Sequence, residues 1–367
     1  MKLGFALEYS LGHVTHAANL KAVLAQRPHL VPRYVDLPYA DMSAPWARLP
    51  GVRSNWSLRA SLGAYLGLRR DAPHCGGLLF HTQVTSLLSA GLMERTPSVV
   101  SLDATPLQYD ALGAFYGHAA GSGKVEALKK RLNLRAFGAA RALVTWSEWA
   151  KRSLVEDYGV DAGKVEVIPP GIDIAAWNFG ERPVKDTVEF LFVGGDFPRK
   201  GGDTLLEAWR RLEPGIRSRC RLHIVTKTEG VGEGVDGVEV HTGVSPNSER
   251  LLALYRRADA FVFPTRGDCL PLAVLEALAS GLPVITTAVA ALPEAVVDNV
   301  SGRIVPVDDA GALAAAMGEL AGDAGLRRRL GAAAREEASL RFDARTNYGR
   351  LVDVVAGATP VALRRAA

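Results

Sequence analysis

At 367 residues the chain is longer than a single hydrophobic core usually grows, so two domains are expected. Its 48% hydrophobic and 22% charged content is that of an ordinary globular protein, and no apolar run approaches the ~18–20 residues of a membrane span. A net charge of only +4 leaves no basic footprint over the whole chain, and no nucleic-acid partner is expected.

The N-terminal stretch MKLGFALEYSLGHVTH has one lysine, an acid at Glu8 and no cleavage-like site, so it reads as a first strand. Gly12 and His13 stand at the end of that strand, where a glycine lets backbone amides approach a phosphate closely. A helix is expected near 13–26. His13 and His16 have a metal-like spacing on it, but with no third ligand in view they read as helix-start or acceptor-side residues. "GGLLF" (76–80) is strand-like and is followed by a helix near 83–94. His81, which closes that strand, reads as either a buried structural histidine or an acceptor-side group. "PSVVSLD" (97–103) is the next strand and ends on Asp103.

Residues 120–152 hold eight basic side chains (Lys124, Lys129, Lys130, Arg131, Arg135, Arg141, Lys151, Arg152) against Glu126 and Glu148. This is either a solvated helix face or a surface that meets an anionic lipid headgroup or an acidic acceptor. "GHAAGSGKVE" (117–126) looks like a phosphate loop, but Val125 follows Lys124 and no strand precedes it; a flexible acceptor-side loop is the better reading. "RALVTWS" (141–147), a helix at 147–158 and "KVEVIPPGID" (164–173) complete a β-α-β-α rhythm, which argues for a parallel, doubly wound sheet.

Pro169-Pro170-Gly171 breaks the rhythm, and the weakly patterned residues after it suit a linker. The rhythm restarts with "TVEFLFVGG" (187–195), a helix at 201–212, "CRLHIVT" (220–226), "GVEVHTG" (237–243), a helix at 247–257 and "AFVFP" (260–264). "RIVPV" (303–307) leads into Ala/Arg-rich helices. The expected architecture is α/β, with two Rossmann-like domains at 1–170 and 171–345. A C-terminal helix at about 346–367 is expected to pack back on the first. Ligands of open α/β sheets sit beyond the carboxyl ends of the strands, so a cleft between two facing domains is the expected site. Cys75, Cys220 and Cys269 are scattered, which argues for a reducing compartment and against both a zinc site and a disulfide framework.

The stretch "RGDCLPLAVLEALASGLPVI" (266–285) is the most informative. Pro271 suits the first turn of a helix and Ser280-Gly281 its end. The amides of Cys269, Leu270, Pro271 and Leu272 would then face an anion such as a diphosphate. Glu276 lies roughly 8 Å farther along the helix, a span that suits a ribose next to that diphosphate. An acid between Leu275 and Ala277 is costly unless hydrogen-bonded. Asp268, just outside the helix end, is placed to accept bonds from the hydroxyls of a second ring.

The pattern acid-x7-Glu followed by "ALASGLPVI" resembles the C-terminal signature of family 4 retaining glycosyltransferases, which have the GT-B fold of two facing Rossmann domains. The resemblance implies that Glu276 bonds the ribose of a nucleotide sugar, Asp268 the hydroxyls of the transferred sugar, and the Cys269–Leu270 amides the diphosphate and sugar. Family members usually carry Glu where this chain has Asp268. "FLFVGGDFPRKGGDTLLEAW" (190–209) is also similar: Lys200 matches a diphosphate-neutralising Lys, while the usual Arg position is Gly195, with Arg199 beside Lys200 instead. Such cations suit a leaving phosphate that gains charge. Thr242, Gly243 and Val244 stand where the family places the nucleotide base. Asp103 replaces a catalytic-site His, and reads as either an acceptor- or sugar-binding carboxylate or a turn cap.

The resemblance thus implies a cytoplasmic enzyme, working at the inner membrane face if 120–152 binds lipid. It would move a sugar from a nucleotide-diphospho-sugar to a glycan, polysaccharide or lipid-linked hydroxyl by a front-face, metal-independent mechanism without a cofactor. The alternatives are a same-fold epimerase or phosphorylase, or a non-catalytic nucleotide-sugar-binding protein.

Overall fold

The computed structural model describes residues 1–10, 12–116, 123–180 and 185–357. Most of the glycine-rich look-alike at 117–126 and the last ten residues of the C-terminal segment lie outside the described residues. Backbone contacts divide the chain into two compact units. Of the described residues, one holds 1–111, 123–171 and 344–357, and the other 112–116 and 172–343.

The first unit is one parallel sheet of β1 (Lys2–Tyr9), β2 (Val31–Pro38), β3 (Gly77–His81), β4 (Ser98–Leu102), β5 (Ala142–Thr145) and β6 (Val165–Val167). The spatial order is β2-β1-β3-β4-β5-β6. β3 and β4 are buried at every residue, as near-continuous apolar runs require when helices cover both faces of a parallel sheet. The helix Ala344–Ala356 lies on this sheet: Tyr348, Leu351, Val352 and Val355 share a core with Leu3, Phe5 and Leu20.

Two features depart from the sequence reading. β2 contains Pro32 and Pro38 and is an edge strand, the one place where proline's missing N–H is tolerated in a sheet. The helix expected near 83–94 is two short turns, Gln83–Ser86 and Ala90–Met93. Ser86 Oγ donates to the Gln83 carbonyl, and the Ser89 amide donates to the Ser86 carbonyl, closing the first turn before a helix can continue.

The second unit repeats the design with β7 (Val188–Val193), β8 (Cys220–Val225), β9 (Val238–His241), β10 (Ala260–Phe263), β11 (Val284–Thr287) and β12 (Gly302–Val305), ordered β12-β11-β10-β7-β8-β9 and all parallel. The stretch read as a linker is partly structured: Ile174–Trp177 is a helical turn, and the Trp177 ring meets Tyr255 edge-on at 4.9 Å.

Both orders create a reversal point. In the first sheet the chain leaves β1 for β2 on one side and returns to β3 on the other. In the second it leaves β7 for β8 and β9, then returns to β10. The crevice at the carboxyl ends of β1/β3, and that of β7/β10, are where an open α/β sheet receives ligands.

Candidate active site

At the second unit's reversal point two loops meet because glycine lets them. Gly201, with φ +72°, carries the chain from the β7 loop into the helix Gly202–Arg211, and a Cβ there would lie 1.9 Å from the Pro264 carbonyl oxygen. The loop after β7 is thereby pressed against the end of β10. Lys200 Nζ reaches both Asp268 carboxylate oxygens at 3.2 Å, with its stem running over Gly194. Thr265 Oγ1 donates to Asp268 Oδ2 at 2.9 Å. Burial alone would raise the Asp268 carboxyl; Lys200, Arg199 and the Thr265 bond outweigh it and hold the group below its usual range. Burial also lowers Lys200, against the opposing pull of Asp268.

Arg199 is placed differently from the sequence expectation of a diphosphate-facing cation. Its side chain is only 5% exposed and turned inward: Nε bonds Asp196 at 3.0 Å, and Nη1 bonds the Gly267 carbonyl at 2.5 Å and Asp268 at 3.1 Å. It braces the loop that carries Asp268. A cation that sequence reasoning missed stands nearby. A Cβ at Gly195, the position where the family resemblance implies an Arg, would meet the Lys227 side-chain carbons at 3.5–3.8 Å, and Lys227 is exposed. No spacing rule could have found it, because it comes from the loop after β8.

The helix after Asp268 is Leu272–Ala279, ended by Ser280 and by Gly281 at φ +69°. Pro271 is its N-cap, one position before the first turn, and proline has no N–H, so it offers no amide to an anion. The Leu272 and Ala273 amides precede the first bond of the helix, in which the Val274 amide donates to the Pro271 carbonyl at 3.1 Å. Glu276 is buried in this helix, accepting from Tyr255 Oη at 3.2 Å. Burial pushes its carboxyl from an ordinary 4.5 up to about 7, with the Tyr255 bond pulling the other way. Thr242, Gly243 and Val244 form a largely exposed loop directly after β9, with Gly243 at φ +66°.

At the first unit's reversal point, the end of β1 and the end of β3 bring histidines together. His13 Nδ1 lies 3.0 Å from His81 Nε2, and His13 Nε2 lies 3.8 Å from Asp103 Oδ2. His81 is fully buried against the rings of His16 (centroids 4.1 Å) and Trp146 (5.7 Å), which also meet each other at 5.0 Å. Burial, reinforced by the neighbouring imidazoles, pushes His81 well down and His16 down to about 3, so both are neutral. Burial raises Asp103, opposed by His13. Gly12 has an ordinary helical backbone, and a Cβ added there would meet no atom within 4 Å, so among the described residues nothing demands glycine. Sequence reasoning did not place Glu8 in this group. It is buried and accepts from Thr82 Oγ1 at 2.5 Å and Trp56 Nε1 at 3.2 Å. The signal was present: an acid ending the apolar run GFALEY is the same anomaly that marked Glu276.

The profile of the family described as Glycosyltransferase Family 4 matches residues 12–176, and that of Glycosyl transferases group 1 matches residues 187–323. A D-inositol 3-phosphate glycosyltransferase from Geodermatophilus obscurus is 36% identical over 210 residues, covering 49% of this chain and 46% of that protein. The chain thus spans about half the length of the curated relatives it matches. Among solved structures, sucrose-phosphate synthase from Thermosynechococcus elongatus superposes with a TM-score of 0.74 at 18% identity, over 98% of this chain and all of that one. Anabaena HepE in complex with UDP and glucose gives 0.70 at 15% identity, over 97% of this chain and 100% of that one. These likenesses show the fold. With two profiles that between them match most of its length, and two six-stranded parallel sheets of the GT-B type, the chain belongs to the family 4, group 1 glycosyltransferases.

Proposed function

We propose that the chain is a retaining glycosyltransferase that takes a sugar from a nucleotide-diphospho-sugar to an acceptor hydroxyl. The observation that carries this reading is the Lys200–Asp268 pair at the β7/β10 reversal point, followed by buried Glu276 in the next helix. Glu276 accepts the ribose hydroxyls, and the loop Thr242–Val244 lies against the base. Asp268, kept ionised by its cations, accepts hydroxyls of the transferred sugar. Lys200 and Lys227, with the first-turn amides beyond Pro271, take the charge that grows on the diphosphate as its bond to the anomeric carbon breaks. The acceptor oxygen bonds to that carbon on the same face, and its proton passes to the departing phosphate oxygen. Asp268 and Glu276 lie on one loop–helix segment and act as binding groups, whereas hydrolytic carboxylates face each other across the scissile bond.

The first unit offers His13 and Asp103 to the acceptor, with His81 wholly buried behind His13. Protein groups supply every role in this scheme, so transfer needs neither metal nor cofactor. The acceptor is a glycan or lipid-linked hydroxyl, and the inositol phosphate in the relatives' name belongs in the first acceptor panel.

The test is a thermal-shift panel with UDP, GDP, ADP, TDP and their sugar conjugates, each compared with its own EDTA-treated baseline. A ligand at 100 times its Kd adds about 2.7 kcal/mol, a rise of a few degrees. One nucleotide family should stabilise the protein; silence across the panel removes the donor site. Asp268→Ala then separates an enzyme from a binder, since turnover should fall at least about 100-fold in an enzyme, while a binder would show only altered affinity.

A further inference from the structure

We propose that His223, Glu239 and His241 hold one divalent transition-metal ion of the zinc type, which fastens the edge strand β9 to β8. None of the three has a role in transfer, and His241 ends β9 directly before the loop Thr242–Val244. In the parallel register His223 of β8 stands opposite Glu239 of β9, and Val225 opposite His241, so the three side chains leave the same face of the sheet. His223 Nδ1 and His241 Nε2 are 3.2 Å apart. One Glu239 carboxylate oxygen lies 3.5 Å from His223 Nδ1, and the other lies 3.6 Å from His241 Nε2. Ligand atoms bound tetrahedrally at about 2.0–2.1 Å sit about 3.3–3.4 Å from one another, so the three groups already stand near ligand spacing.

The chemistry of the donor set selects the ion. Two imidazoles and one carboxylate favour zinc and its neighbours over the oxygen-seeking calcium and magnesium, and leave a fourth position for water. The far nitrogen of His223 adds an independent sign. Nε2 lies 3.5 Å from Glu189 Oε2 on β7, and it is buried without a hydrogen-bond partner among the described residues. A carboxylate behind a ligating imidazole is the usual support of a metal site, fixing its tautomer and raising its basicity. Of the nearby cations, Arg257 Nε is 2.5 Å and Lys185 Nζ 3.9 Å from Glu189, and Arg250, which also acts on His241, donates to the Thr242 carbonyl at 3.3 Å. Glu239 itself is 60% exposed, which gives an ion a way in, while both histidines are buried. β9 has four residues and one neighbouring strand, so a clamp there holds an otherwise weakly paired edge, directly before the loop Thr242–Val244.

The full chain, stripped with chelator and dialysed, is titrated with Zn²⁺ by calorimetry and with Co²⁺ by visible absorption. The expected result is one saturable ion per chain, a four-coordinate Co²⁺ spectrum and a raised Tm. Glu239→Gln, an exposed position that leaves the fold intact, and His241→Gln should each weaken binding at least about 100-fold, and Glu189→Gln about 10–100-fold. His13→Asn should bind like the parent. Absence of saturable binding overturns the site. So does binding that survives both Glu239→Gln and His241→Gln, because the ion would then sit elsewhere.

Discussion

Lys200 and Lys227 are both lysines near one phosphate-facing loop, yet burial gives them different consequences on substitution. Lys200→Ala leaves the buried Asp268 with Arg199 and Thr265 alone. It should cost about 1–3 kcal/mol of stability as well as turnover, visible as a lower urea midpoint. Lys227 is exposed, so Lys227→Ala should leave the midpoint unchanged and weaken nucleoside-diphosphate binding about tenfold, read by calorimetry. Unchanged binding in that variant would remove Lys227 from the donor site.

Glu276 gives a pH signature. Its carboxyl stays protonated up to about 7 when folded but ionises near 4.5 when unfolded. Between those values the folded state holds the extra proton, so stability falls as pH rises. Glu276→Gln removes that loss. Without nucleotide it should be more stable than the parent at pH 8, by up to about 3 kcal/mol, with little difference at pH 5. Glu276 was legible in the sequence because a carboxylate in an apolar run is anomalous, and Glu8 carries the same anomaly in β1 but was passed over. Arg199 was not, because spacing cannot say that a guanidinium turns inward onto a carbonyl. The His223–Glu239–His241 group was missed for a related reason: its members lie on two strands, and only register brings them together.

Elements were legible where burial on two faces left a continuous apolar run, as in β3, β4, β7 and β10. Caps sharpened the boundaries. Ser147 accepts from the Ala150 amide and Ser248 from the Leu251 amide, each at the start of a helix anticipated from periodicity. β2 was invisible because an edge strand with two prolines carries neither signal, and the turns at 83–93 looked helical because only their serine hydrogen bonds break the pattern. One junction decides how the second site is assembled. Gly201 is needed both for its positive φ and for its approach to the Pro264 carbonyl. Gly201→Ala should therefore lower stability by more than the roughly 1 kcal/mol of an ordinary left-handed alanine, and by about 3 kcal/mol if the loops part. If the variant melts with the parent, the close approach is not maintained in solution.

At the scale of the whole molecule, charge is unevenly spread. Residues 1–180 hold 19 Lys/Arg against 14 Asp/Glu, and the remainder holds 24 against 25. Much of the excess lies on the helix Gly123–Ala139, which buries Asn133, Ala136 and Phe137 and exposes Lys124, Lys130, Arg131 and Arg135. Among the described residues no helix is long and apolar enough to cross a membrane. A solvated basic face accounts for the lysines and arginines, but not for Val125, Leu128 and Leu134, which are exposed on the same helix at 47%, 57% and 40%. Basic residues interleaved with exposed aliphatics fit an anionic lipid interface, where each Lys or Arg adds about 1 kcal/mol and the apolar chains enter the headgroup boundary. Vesicles containing anionic lipid should therefore sediment the protein, uncharged vesicles should not, and added salt should release it. Replacing Lys124, Lys130, Arg131 and Arg135 together by Gln should reduce binding by at least tenfold while donor binding in the second unit is unchanged. Leu128→Asn alone should weaken binding at a given salt concentration without altering its salt dependence, which separates lipid insertion from charge attraction. A protein that ignores anionic vesicles would return this helix to the solvated reading and leave the acceptor among water-borne glycans.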